Sequence, residues 1–177
     1  KEQELLIRCK AALEDGRVAT HLPDSVAALR QAVGVLSNER LRLSLGRALD
    51  FAENLILLIA AACPEVEGLV PAGDVRRFEP IVEALVIVGS APDPPAALER
   101  ICSIPMIQSA VHLTGRRVLV RYQQAEIDVR IVTPDEYGSA LHLATGSAAH
   151  VAAIRSRHRA TRVFAREEDV YSHAGLA

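Results

Sequence analysis

Aromatic residues are scarce in this chain. It has no Trp, and three Phe and three Tyr make up only 3% of 177 residues. The core must therefore rest on Leu, Val, Ile and Ala. Cysteine is also rare: Cys9, Cys63 and Cys102 are odd in number and far apart. That excludes a disulfide framework and C-x-x-C metal spacing, and makes a reducing cytoplasm the default. Long apolar runs are missing. The longest, 55–63, is far too short to span a bilayer. No signal-peptide pattern opens the chain. The expectation is a cytoplasmic protein with no membrane partner. A start at Lys1 reads as a piece of something longer.

Other absences narrow the chemistry. There is no Gly-x-Ser-x-Gly elbow, Walker loop, dinucleotide fingerprint or notable Cys–His pair. Six histidines, at 21, 112, 142, 150, 158 and 173, show no close ligand pair. His142 and His150 are eight apart across a break at Gly146, which reads as chance spacing. A net charge of −2 gives no global attraction for nucleic acid. The charge is uneven, however: residues 154–177 hold five Arg against three acids. A basic patch at Arg155, Arg157, Arg159, Arg162 and Arg166 is one reading, and a solvated helix face is the other.

Half of the chain is hydrophobic and a quarter charged, the balance of a globular protein of one ordinary domain or two small ones. Helical spacing places Leu5, Leu6, Cys9 and Leu13 on one face. A second helix follows "THLPDS". "GRALDFAENLILLIAAA" (46–62) is the strongest helix signal, stopped by Pro64. Then the character changes. "VEGLVPA", "ALVIVG", "SAVHL", "RVLVRY" and "EIDVRIV" read as strands, the last two as a hairpin turning near Gln123-Gln124-Ala125. "PDPPAALERI", "PDEYGSALHLATG" and "SAAHVAAIRSRH" read as helices, the last two separated at Gly146-Ser147. The fold class is α+β, a mixed α/β arrangement.

Three signals stand in order: Gly73-x-x-Arg76-Arg77, Asp128 inside a later strand, and Thr145-Gly146-Ser147 between two helices. In this order and at these separations the chain resembles the family X DNA polymerases, the group of DNA polymerase beta, particularly their bacterial members. "VEGLVPAGDVRRFEPIVEALVIV" is similar to the palm segment, where Gly-Ser-x-Arg-Arg precedes a strand with Asp-x-Asp. "AEIDVRIVTPDEYGSALHLATGS" is similar to the segment with the third catalytic aspartate and the Tyr-Phe-Thr-Gly-Ser motif. "LPDSVAALRQAVGVL" sits where the family has a helix-hairpin-helix, and "SHAGLA" resembles a thumb terminus. The likeness spans nearly the whole chain, strongest over 66–89 and 126–150 and weak over 1–45.

The resemblance implies a helical fingers-like region with a degenerate helix-hairpin-helix over 1–62. A nucleotidyltransferase-like palm sheet over 63–132 and a small thumb-like part over 133–177 would follow. It implies dNTP addition to a DNA primer during gap-filling repair, with two Mg²⁺ or Mn²⁺ ions. Bacterial members often carry a metal-dependent phosphoesterase domain of the PHP type after this core, which would lie beyond Ala177.

Residue by residue, that chemistry is depleted. A two-metal site needs clustered acidic oxygens, two of them alternating on one strand. The matching positions are Ala84 and Val86. Glu83 should point to the opposite face from Ala84. Asp128 matches the third aspartate and is the one remaining metal-ligand candidate. It is equally a surface residue paired with Arg130 or Arg121. The family's triphosphate-holding serine is Asp74 here. A carboxylate ~4 Å from a phosphate is repelled by ~4 kcal/mol at an effective dielectric of 20, more than the ~1.5–3 kcal/mol of one charged hydrogen bond. Asp74 should therefore bridge to Arg76 or Arg77. The aromatic pair that packs on the nucleotide is Leu143 and Ala144. Gly73, Asp74, Arg76, Arg77, Thr145, Gly146 and Ser147 form the phosphate-site remnant, with Ser147 also an N-cap.

The expectation is a polymerase-like core with a defective transfer site and no cofactor bound, whose partner is DNA rather than dNTP. An active Mn²⁺-dependent polymerase using Asp128, Asp74 and Glu83 is the alternative. A purely structural protein-interaction domain is the third reading. A former active site requires Ala84, Val86 and Asp128 to lie side by side on adjacent strands.

Overall fold

The computed structural model describes residues 42–157 and 162–176. The helices expected over 3–13 and after "THLPDS", with the helix-hairpin-helix resemblance, lie outside them. Contacts divide the chain between Arg40 and Leu41, and the described residues all belong to the second unit.

A two-residue strand β1 (Leu43–Ser44) leads into helix α1 (Leu45–Ala62). Its buried residues Ala48, Ala52, Leu55 and Ile59 follow the four-three-four spacing of one helical face. Cys63 closes the helix by donating its N–H to Ile59 O, and Pro64 prevents continuation. Strand β2 (Glu67–Ala72) runs into a one-turn helix α2 (Gly73–Arg76), where the sequence suggested only a turn. β3 (Ile81–Val82) pairs with β1. Then come β4 (Leu85–Ser90), α3 (Pro94–Cys102), β5 (Ile107–Thr114), β6 (Arg117–Tyr122) and β7 (Ala125–Val132). A 3₁₀ turn (Pro134–Glu136) starts α4 (Tyr137–Thr145), followed by α5 (Ala148–Arg157) and α6 (Glu167–His173).

The main sheet has the order β2-β4-β7-β6-β5. All its pairings are antiparallel except β4 with β7. β4 is buried at every residue, as a central strand covered on both faces should be. The β6–β7 hairpin turns through Gln123 and Gln124, both at positive φ (46° and 71°). Two left-handed residues match the twist of the strands they join.

One sheet face carries Leu85, Ile87, Val118, Val120, Ile127, Val129 and Ile131, packed against α1 and α3. Thus α1, grouped by sequence with the N-terminal helical region, is part of the sheet's core. The other face carries Ala72, Val86 and Val88, which pack on Leu141 of α4. Alternation along β7 and β6 puts Asp128, Arg130, Arg117 and Leu119 on this same face.

The turn that aims α4 is held by a capping box. Thr133 Oγ1 donates to Glu136 Oε2 at 2.7 Å, and Arg116 also reaches the Glu136 carboxylate. The hydrogen bond from Thr133, then Arg116, holds the Glu136 carboxyl below the usual range. A depressed folded value gives stability that is present above the unfolded pKa and lost as pH falls through the folded one. Thr133→Ala or Glu136→Gln should therefore cost about 1 kcal/mol at neutral pH. In urea titrations the gap between wild type and Glu136→Gln should close as pH falls below the carboxylate range. A gap unchanged by acid would refute this role.

Candidate functional site

The three signals that carried the resemblance meet in space. Gly73 opens α2 at φ 61°, a conformation that costs other residues about 1–2 kcal/mol. Its position for a Cβ lies 3.5 Å from Ala144 O and 3.6 Å from Val86 Cγ2. The phosphate-like turn thus sits between the start of β4 and the end of α4. Arg76 donates to Thr145 Oγ1 at 3.2 Å, and Arg77 donates to Thr145 O. Gly146 ends α4, and Ser147 Oγ accepts from His150 N at 3.3 Å as the expected cap of α5.

Carboxylates of the same chain occupy this turn. Asp74 accepts from Arg77, so of the two bridges left open by sequence the Arg77 one forms. Its Oδ2 also takes the backbone N–H groups of Glu83 (2.9 Å) and Ala84 (3.3 Å). A side-chain carboxylate therefore fills donors that an anionic ligand would use. Arg76 is bound bidentately by Glu167 of α6, at 3.0 and 2.7 Å. That hydrogen bond raises the Arg76 pKa against the opposing cost of burial. The segment leading to Glu167 is hydrogen-bonded to α4. Ser139 N donates to Phe164 O and Gly138 N to Ala165 O, each at 3.0 Å. A Cβ on Gly138 would fall 2.1 Å from the Arg166 carbonyl carbon, so the segment before α6 lies hard against α4.

The former-site test concerns Ala84, Val86 and Asp128. Val86 and Asp128 are direct partners across the parallel β4–β7 pair. Ala84 lies one residue before β4, exposed, in phase with Val86. Val86 and Asp128 are adjacent as expected, Ala84 stands just outside the paired strands, and the chemistry is not that of a metal site. Asp128 has a side chain only 9% exposed, between two arginines. Its Oδ1 accepts from Arg117 Nε at 2.8 Å. Its Oδ2 accepts from Arg130 Nε and a terminal Arg130 nitrogen (3.1 and 2.8 Å), and a terminal Arg117 nitrogen forms an ion pair with it at 2.8 Å. Three hydrogen bonds and a further guanidinium nitrogen thus engage both carboxylate oxygens. The Asp128 hydrogen bond raises the Arg117 pKa against the opposing cost of burial.

Arg121, the other partner considered for Asp128, is tied instead to Glu126 at 2.9 Å. The register explains the difference. Arg117 stands opposite Arg130, and Arg121 opposite Glu126. Like charges directly opposite each other destabilise a ladder. Asp128, two residues from Arg130, neutralises that opposition.

These residues do not fit the Mg²⁺ or Mn²⁺ that the resemblance implies. Each guanidinium about 4 Å from a divalent ion repels it by ~8 kcal/mol at an effective dielectric of 20. Asp74 and Glu83 do not assemble with Asp128, since Glu83 pairs with Arg42 at 3.3 Å. Among the described residues no group of three or more His, Cys, Asp or Glu could hold a metal ion.

The basic residues after 154 behave differently. Arg155 and Arg157 are exposed on α5, and no ion pair engages them among the described residues. Arg162 lies over the Phe164 ring at 5.4 Å. Arg166 pairs with Glu168 at 3.1 Å, both side chains 73% exposed. Arg159 lies outside the described residues.

Two sequence expectations need correction. His142 and His150 are not a chance spacing: their rings are 5.5 Å apart and share Tyr171, from α6, as a hydrogen-bonding partner. A Cys–His pair also exists, Cys102 Sγ to His112 Nε2 at 3.4 Å, because β5 folds back beside α3. Burial first, then Glu99, pushes the Cys102 thiol up to about 11, so at neutral pH it is no nucleophile. Neither contact follows from local spacing, because both depend on how separate elements pack.

Asp128→Asn leaves Arg117 and Arg130 opposed with a neutral group between them. Discounted for the partial exposure of both arginines, the loss should be about 1–3 kcal/mol by denaturant unfolding. A metal-ligand aspartate would instead gain stability on neutralisation when no ion is present, so an unchanged or raised midpoint would overturn the ion-pair assignment. No protein-family profile matches the chain, and no curated protein is significantly similar to it.

Proposed function

We propose that this chain is a family X DNA polymerase-like core of a DNA-repair protein that binds DNA without transferring nucleotides. One observation carries the reading: the division of its arginines. Arg76, Arg77, Arg117, Arg121 and Arg130, around the turn and sheet, are all paired with carboxylates of the chain. Arg155, Arg157 and Arg162 have no such partner among the described residues. Charge committed internally holds the fold. Uncommitted charge is available to phosphates, which position a protein on DNA without reading its sequence.

The closed turn supports the loss of transfer. A triphosphate entering it must displace Asp74 from Arg77 and two backbone N–H groups, and Glu167 from Arg76. It would gain no metal bridge, because Ala84 and Val86 cannot ligate an ion. In this reading the nucleotidyltransferase-like sheet persists as a scaffold, and the thumb-like part carries the DNA contacts.

The test is a shift assay on gapped duplex DNA across ionic strength. Binding should weaken steeply with salt, with a slope in log K against log salt of about −0.9 for each phosphate neutralised. Arg155→Ala/Arg157→Ala/Arg162→Ala should flatten that slope and weaken binding at least tenfold. Affinity that ignores both salt and these substitutions would point to a protein-interaction domain instead. Primer extension with Mn²⁺ should yield no product. Robust synthesis that disappears in Asp128→Ala would establish the active-polymerase reading.

A further inference from the structure

Three helices bring two imidazoles and a phenol to one point beside the closed turn. α4 supplies His142, α5 His150 and α6 Tyr171. Tyr171 Oη lies 3.3 Å from His142 Nδ1 and 3.2 Å from His150 Nε2. The two imidazole centroids are 5.3 and 5.8 Å from the phenol ring centroid. The chain reverses sharply to achieve this. Gly146 stands where a Cβ would lie 2.8 Å from Val151 Cγ2 and 3.2 Å from the His150 ring. α6 is held in place by its own contacts, with Val170 and Ala174 packed on Ile154 of α5.

We propose that His142, His150 and Tyr171 form a binding site for a borderline divalent transition-metal ion, with Zn²⁺ as the type case. Imidazole nitrogen is a preferred donor for Zn²⁺, Cu²⁺ and Ni²⁺, and an ionised phenol adds an anionic oxygen. Bonds of about 2.0–2.1 Å at tetrahedral angles place neighbouring ligand atoms ~3.3 Å apart. The two nitrogen-to-oxygen separations already have that length. In the metal-free state one phenolic O–H cannot donate to both imidazoles, so one imidazole donates its own N–H to the phenol oxygen. Binding displaces the phenol proton and leaves each imidazole to present its lone pair at the ligating nitrogen. The buried His142 and the exposed His150 give the site a protein side and a solvent side, where water completes the coordination.

An ion here would pin α4, α5 and α6 together. α5 also carries Arg155 and Arg157, so occupancy would stiffen the basic helix, and through α6 it would also brace Glu167 against Arg76.

The experiment uses the whole chain, stripped with a chelator and titrated with Zn²⁺ by calorimetry, with Co²⁺ as the spectroscopic probe. One ion should bind per chain, raise the melting temperature, and give the intense visible bands of tetrahedral Co²⁺. His150→Ala, at an exposed position, and Tyr171→Phe, which removes one oxygen, should each weaken Zn²⁺ binding at least tenfold. His112→Ala, beside Cys102, should leave it unchanged. Circular dichroism establishes that each variant is folded. The proposal is overturned if Zn²⁺ fails to bind at millimolar concentration, or if folded His150→Ala and Tyr171→Phe bind like wild type. Binding lost in His112→Ala alone would overturn it equally, placing the ion at the Cys102–His112 pair.

Discussion

Arg117 and Arg130 face each other across the β6–β7 ladder, and a single carboxylate, Asp128, accepts from both. That arrangement lets β6 and β7 pair in this register. Without it, two cations would oppose each other on neighbouring central strands. β7 lies between β6 and β4, and the parallel β4–β7 register sets Val86 beside Asp128. The position that the resemblance assigns to a metal ligand is thus occupied by the anchor of an ion-pair cluster. Two guanidiniums beside that carboxylate repel any added cation.

Internal charge pairing recurs at the turn. Asp74 fills the donors of Arg77 and two backbone amides, and Glu167 fills those of Arg76. Each arginine keeps a partner, so no charge is stranded, which explains how a turn rich in donors remains stable without an anion. The cost falls on access: Glu167 is fixed by a segment packed against Gly138, so the C-terminal helices close over the turn.

Element types were legible wherever periodicity was strong. α1 shows its buried stripe at 48, 52, 55 and 59. The β6–β7 hairpin shows its alternation and its turn. Shorter pieces were not legible. β1 and β3 have two residues each, too few for any period. α6 is a polar seven-residue helix with one buried residue, Val170, so it carries no apolar stripe to detect. The membership of α1 was also hidden, since an apolar face declares that a helix is buried and not which surface buries it.

For the candidate site, the sequence by itself determined what is missing. Ala84 and Val86 have no side-chain ligand atoms, and Asp74 brings a negative charge into the turn that the resemblance reads as phosphate-binding, whatever the fold. It also determined that Asp74 must find a cation nearby, because an arginine three residues away is within reach. Only the tertiary structure decided the long-range pairs. Asp128 chose Arg117 and Arg130 over Arg121 because strand register sets which side chains stand opposite. Arg76 met Glu167, 91 residues away, and two histidines met Tyr171, because helices packed that way. Hydrophobic periodicity is a local property of the chain. The partner of a charge is a property of register and packing, which no local spacing encodes.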